Sequence, residues 1–281
     1  GQPEQAVAWL DVFQRMEHNP RAHLAEIKYT RMGRKAEIVA IGTAEGTAAT
    51  RPEGPIFDRS KLGFIGCRGC DDFLNLGVGW TGEGQSLALM STEQGSRLYR
   101  WSAKDWLQEV QAAALTRLPG VTASLWGDVN ADGELDVVLL RSGTNQLWLG
   151  TGDAVFEQDD RFDVGMKGTS VDGALFDADH DGDLDVLVVN DEGTPCELIN
   201  NNGDGTWQPI ADEASGFPLE AEFAREVVVA DFDGDLDTDV LLINQHPPHQ
   251  VWLNDRLWQW RRGDEAWAPL LRAEIAAAVA A

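Results

Sequence analysis

The chain is short of positive charge: 22 Lys and Arg stand against 47 Asp and Glu, a formal net charge of −25 over 281 residues. This imbalance excludes a nucleic-acid surface, which needs clustered basic side chains to displace counterions from phosphate. It also disfavours adhesion to anionic membranes. Long apolar runs are missing too. No stretch reaches the roughly 18 apolar residues that a membrane-spanning helix requires, and membrane insertion is not expected. Gln2 to Gln5 is polar with no uninterrupted apolar run after it, so no secretory signal is visible at the start.

Cysteine is scarce: Cys67, Cys70 and Cys196. The Cys67-Arg68-Gly69-Cys70 pair fits a local disulfide, two inert thiols, or a redox or half zinc site. Asp71 follows where haem attachment would need His, and no βαβ pattern supports a redox motif. A complete zinc site lacks a second ligand pair. Also missing are a nucleophile elbow, a phosphate-cradling glycine loop and an HExxH helix. Acidic residues are so abundant that no single carboxylate pair argues for glycoside hydrolysis.

Three acidic segments fill that space. They carry oxygen-bearing side chains at alternate positions: Asp128, Asn130, Asp132, Glu134 and Asp136; Asp177, Asp179, Asp181, Asp183 and Asp185; Asp231, Asp233, Asp235, Asp237 and Asp239. A hard divalent cation takes six to eight oxygens at roughly 2.3–2.6 Å, and alternate residues of a turning loop can converge on it. Side chains at positions 1, 3, 5 and 9 are the natural ligands, with a backbone carbonyl at position 7. Gly133 and Gly182 occupy position 6, where the loop turns sharply. The third loop has Leu236 there, with its glycine displaced to Gly234. Acidic turns also occur for reasons unconnected with metals, but three in one chain favour two cation sites and a third with this altered pattern. An EF-hand would need Glu at position 12, where Leu139, Val188 and Leu242 stand.

After each loop comes a short apolar run rich in β-branched residues, such as Val186-Leu187-Val188-Val189, which reads as a buried strand. The position-9 aspartates are 49 and 54 residues apart, and a second strand-like segment follows each: 146–149, 197–200 and 250–254. Walking back by the same interval finds Ser86-Leu87-Ala88-Leu89-Met90 with Tyr99 beyond it, and then Glu37-Ile38-Val39-Ala40-Ile41-Gly42. The register 37, 86, 136, 185 and 239 predicts five repeats, three with acidic loops. A period near 50 with several strands per unit is propeller-like, because each small sheet buries its faces only against its neighbours.

The Asp-x-Asp-x-Asp-Gly-x-x-Asp loop running into an apolar strand resembles the FG-GAP or VCBS-type repeats of bacterial surface proteins and integrin α-subunit propellers. The turn Asn200-Asn201-Asn202-Gly203-Asp204-Gly205-Thr206-Trp207 carries the same resemblance. It covers residues 120–255 well and 30–119 weakly. It implies an all-β, propeller-like array in which the loops bind structural Ca²⁺ on one face. Three divalent ions would reduce the net charge to −19, which ties folding to the ion.

The expected organisation is an N-terminal helical segment at 1–28, repeats at 29–257 and a C-terminal helical segment at 258–281. Ala6, Trp9, Leu10, Phe13 and Met16 recur at helical spacing, and Asp264 is placed to cap a helix ahead of Glu265. Of the 11 tryptophans, Trp148 and Trp252 share a repeat position, which predicts packing between blades. Trp258, Trp260 and Trp267 fall outside the register. His180, at position 4 of its loop, should point away from a metal, and His246 and His249 read as exposed loop residues. The functional expectation is a non-enzymatic, calcium-stabilised scaffold or adhesion-type module with a protein partner, in an extracytoplasmic setting. A lectin-like glycan binder is the alternative, followed by a polysaccharide-active enzyme.

Overall fold

Short β-branched runs closed by tight turns produce four-stranded antiparallel sheets, and the second strands of three of them are buried on both faces. The computed structural model describes residues 73–275 apart from 82–84, 103–107, 111–113, 164–168, 192–193, 211–216, 218–222, 257 and 274. All lie in one compact unit, 64–281. The expected helix near residues 4–18, the repeat at 37 and the Cys67/Cys70 pair fall outside the described residues.

The first blade comprises β1 (Phe73–Trp80), β2 (Gln85–Thr92), β3 (Gly95–Ser102) and β4 (Gln108–Glu109), and the second β5 (Val121–Gly127), β6 (Asp136–Arg141), β7 (Gln146–Gly150) and β8 (Phe156–Asp159). The third contains β9 (Ser170–Phe176), β10 (Asp185–Asn190), β11 (Glu197–Asn201) and β12 (Trp207–Pro209), and the fourth β13 (Ala224–Ala230), β14 (Asp239–Asn244), β15 (Gln250–Asn254) and β16 (Trp260–Arg262). Each sheet is an up-and-down meander. The first strands pack in series, β1 on β5, β5 on β9 and β9 on β13. The result is a β-propeller-like repeat array, with no ring closed among the described residues.

Three apolar layers hold the blades together. Leu87, Leu89 and Leu98 of the first blade meet Val137, Leu139 and Trp148 of the second. Val138, Leu140 and Leu147 meet Val186, Val188 and Ile199. Leu187, Val189 and Leu198 meet Val240 and Leu242, with Trp252 packed alongside. Successive residues of one strand thus serve the blades on either side. The shared position of Trp148 and Trp252 lies between blades, as its recurrence predicts.

These layers also correct the register of the first blade. The side chains facing the following blade are Leu87, Val138 and Leu187, each two residues after its strand's opening position. The counterpart of Asp136 and Asp185 is therefore Gln85, not Ser86. A slip of one residue turns every side chain to the opposite face, and in an unliganded repeat no acidic loop marks the count.

The boundary expected at 257 shifts as well. β16 pairs with β15, and Trp260 is buried against Phe176 and Phe217 with ring centroids 6.3 and 5.1 Å away. This tryptophan completes the fourth blade. Asp264 does cap the next turn: its Oδ1 accepts from Ala266 N at 2.9 Å, ahead of a 3-10 turn Glu265–Trp267 and a short helix Ala268–Leu271. Trp267, Leu270, Leu271 and Ile275 then cover Leu241, Ile243, Val251 and Leu253, the outward face of the last blade. His249 is buried rather than exposed. Its Nδ1 accepts from Asn244 N and its Nε2 lies 2.9 Å from Ala273 O, tying the terminal segment to β15.

Candidate metal centre

The three acidic loops join the first strand of a blade to its second, so all three lie at the same end of their blades. One backbone conformation recurs in them. Positions 4 and 6 have positive φ in each: Ala131 and Gly133 at 57° and 92°, His180 and Gly182 at 66° and 90°, Gly234 and Leu236 at 83° and 74°. The displaced glycine of the third loop therefore occupies the other left-handed position, and the loop keeps its shape. Leu236 holds a conformation that costs a side-chain-bearing residue roughly 1–2 kcal/mol, while 78 % exposed.

Hydrogen bonds explain the shape. The position-1 aspartate accepts the N–H of position 6 in every loop: Gly133 to Asp128 Oδ2 at 2.9 Å, Gly182 to Asp177 Oδ2 at 3.0 Å and Leu236 to Asp231 Oδ2 at 3.1 Å. Position 5 accepts from position 7: Glu134 N to Asp132, Asp183 N to Asp181 and Asp237 N to Asp235, at 2.8–3.0 Å. Asn130 and Asp179 at position 3 accept from position 5 in the first two loops.

Position 9 opens the second strand and acts as a two-handed clamp. Asp136 Oδ2 accepts from Val129 N at 2.9 Å and Oδ1 from Gly150 N at 2.8 Å. Asp185 does the same with Ala178 N and Asn201 N, at 2.8 and 2.9 Å. Asp239 does so with Phe232 N and Asn254 N, at 2.7 and 2.8 Å. All three aspartates have no exposed surface. Each fastens position 2 of its loop to the end of the third strand in the same blade.

The clustered carboxylates are those of positions 1, 3 and 9. One oxygen from each of Asp177, Asp179 and Asp185 lies within 4.8 Å of the others, and the same holds for Asp231, Asp233 and Asp239. In the first loop the corresponding set is Asp128, Asn130 and Asp136, with an amide in place of one carboxylate. An all-oxygen donor set of this kind suits a hard divalent cation, and these clusters are able to hold one. Burial pushes Asp185 up to about 8, with Asp179 and Asp181 adding repulsion against its two N–H bonds. Burial likewise moves Asp136 and Asp179 to about 6 and raises Asp177 and Asp239.

Position 7 does something that the spacing alone did not reveal. Glu134 lies beside Gly152, and a Cβ at Gly203 would collide with the Asp183 carboxylate, so these acids face the turn between the third and fourth strands. Asp237, buried, is held by Arg256 Nε at 2.8 Å and by His180 Nε2 at 2.7 Å. His180 accordingly reaches the next blade's loop. A long residue at position 4 opposite an acid at position 7 was the available signal.

A model of the FG-GAP-like repeat matches the chain twice, over residues 128–188 and 177–242. With the four-bladed array, this identifies the acidic blades as FG-GAP-like repeats. Among curated proteins none matches the chain. Solved structures with some similarity to the chain include an Agrocybe aegerita lectin that recognises non-reducing terminal N-acetylglucosamine, at 17 % identity over 68 % of this chain and 51 % of that one, with TM-score 0.48. A putative exo-β-1,3-galactanase from Bifidobacterium bifidum is similar at 11 % identity over 66 % and 70 %, with TM-score 0.43. AofleA from Arthrobotrys oligospora is similar at 14 % identity over 69 % and 57 %, with TM-score 0.42. The chain thus spans about half the length of the A. aegerita lectin.

Two outcomes follow from this geometry. Leu236→Gly should raise stability by about 1 kcal/mol by relieving the left-handed strain, measured by urea unfolding at fixed calcium; a loss of stability would contradict the strain argument. The second concerns pH. The raised carboxylates make the cation-free folded state bind more protons than the unfolded chain between about pH 4 and about pH 8, so stability falls as pH rises through that window. In chelator, the melting temperature should be higher near pH 5.5 than near pH 8, and a flat or opposite trend would count against buried, repelling loops.

Proposed function

We propose that the chain is a calcium-stabilised, non-enzymatic interaction scaffold that works outside the cytoplasm, where calcium is plentiful. The observation carrying this reading is the repetition of one oxygen-rich loop, with one backbone conformation, at the same end of three successive blades. Calcium suits these loops better than magnesium because it accepts flexible, carboxylate-rich coordination and sheds water readily. Asp177, Asp179 and Asp185 would hold one ion, Asp231, Asp233 and Asp239 a second, and Asp128, Asn130 and Asp136 a third. A bound ion would supply the positive charge that offsets their mutual repulsion. The residues themselves fix the face: the position-9 clamps hold loop to strand, and a partner meets a surface of set shape.

Native mass spectrometry should count three calcium ions per chain. At calcium about 100 times the dissociation constant each site should add about 2.7 kcal/mol of stability, so chelation should lower the melting temperature by several degrees per site. Asp177→Ala or Asp179→Ala should reproduce much of the loss at the second loop. An unchanged melting temperature after verified metal removal would overturn this reading.

A second reading, glycan binding, is favoured by a cleft of about 380 Å³ beside the first loop, lined by Trp80, Leu87, Arg100, Glu134, Asp153 and Phe156. Arg100 pairs with Asp153 across it, Nη1 to Oδ1 at 2.8 Å. Apolar Leu87 and Phe156 beside charged Arg100, Glu134 and Asp153 would offer a sugar ring packing for its C–H faces and partners for its hydroxyls. A glycan array with and without calcium tests it: binding lost in Arg100→Ala supports a glycan ligand, and no binding in either condition leaves the protein-binding scaffold.

A further inference from the structure

The loops are tied to one another through two buried asparagines. Asn201 ends β11 and Asn254 ends β15, each 1–2 % exposed. In both, the backbone N–H serves the position-9 clamp of its own blade while the side-chain amide reaches the preceding blade. Asn201 Nδ2 donates to Val129 O at 2.7 Å and, more weakly, to Leu184 O of its own loop at 3.3 Å. Asn254 Nδ2 donates to Ala178 O at 2.9 Å and to Thr238 O at 3.3 Å. The carbonyls that they reach belong to position 2 of the preceding loop, whose own N–H is already held by that loop's clamp.

The bonds form one unbroken path: Asp136, Val129, Asn201, Asp185, Ala178, Asn254, Asp239 and Phe232. Two of its nodes, Asp185 and Asp239, also belong to the carboxylate clusters. Loops two and three share a further tie through His180, Asp237 and Arg256. In the second blade the asparagine position is Gly150, and the first blade ahead of it carries no acidic loop among the described residues. The reaching amide is found where the preceding blade has a loop to hold.

We infer that Asn201 and Asn254 are positioning residues that couple the cation sites, so that filling one loop raises the affinity of the next. This rests on the calcium reading above. Fixing position 9 in one loop orders the asparagine bonded to it, and the asparagine orders position 2 of the neighbouring loop. By linkage the effect is reciprocal, and couplings of this kind are typically 5- to 150-fold in affinity. The coupling is strongest between loops two and three, which are tied twice.

The test is a calcium titration of the full chain followed by native mass spectrometry, reading the populations with zero, one, two and three ions. Wild type should show the one-ion species depleted below its independent-site value, because loops two and three fill together. Asn201→Gly should restore independence of the first loop while leaving the other two coupled, and Asn254→Gly should weaken the second pair. Glycine is chosen because Gly150 already fills this position in a folded blade and keeps the N–H that the clamp needs. Asn201→Ala is the second variant: it keeps the backbone N–H that the clamp needs, has no side-chain group to donate to Val129 O, and should uncouple in the same way. Three ions bound with an independent-site distribution in wild type would overturn the coupling and leave the calcium reading standing. No bound calcium in wild type would overturn both.

Discussion

A buried carboxylate accepting two backbone N–H groups is the interaction on which the arrangement depends. Asp136, Asp185 and Asp239 each lie where a loop becomes a strand, and each bonds that loop to the end of the third strand of the same blade. Hydrogen bonds to a charged group contribute roughly 1.5–3 kcal/mol each, but only while the carboxylate is ionised. Burial and acidic neighbours oppose ionisation, most of all at Asp185. The clamp is therefore strongest when a positive charge is near, and a fold stabilised by the clamp is conditional on its surroundings.

Much of this was legible in the residues because the loops advertise themselves. Asp at alternate positions, a turn residue and an apolar strand recur with a period near 50. The first blade was harder. Without an acidic loop to mark its start, Gln85 and Ser86 are equivalent candidates, and packing against the second blade decides between them. Trp260 eluded the repeat pattern because the fourth strand is short, three residues in β16, and a short strand carries little periodicity. Asn201 was visible in a turn and Asn254 at the end of a strand-like segment, but a contact to a carbonyl more than 70 positions away has no local signature.

The same loops show how one conformation tolerates different residues. Gly234 and Leu236 exchange the roles that Ala131 and Gly133 play in the first loop, with every turn-closing bond from position 6 to position 1 retained. Backbone geometry, set by the position-1 carboxylate, is what the repeats share. Cys196 illustrates the opposite case, a residue whose chemistry the fold silences. It is buried in the layer between the third and fourth blades, and burial pushes its thiol up to about 12, so it serves as a small apolar side chain.

The C-terminal stretch sits where one more sheet would otherwise stack, since Leu241, Ile243, Val251 and Leu253 correspond to the side chains that elsewhere receive a neighbour. Tandem duplication that placed a new unit directly after Arg262 would have to evict Trp267 and its companions from that berth. The stretch thus gives the fourth blade the apolar cover that a neighbouring sheet gives each of the other three.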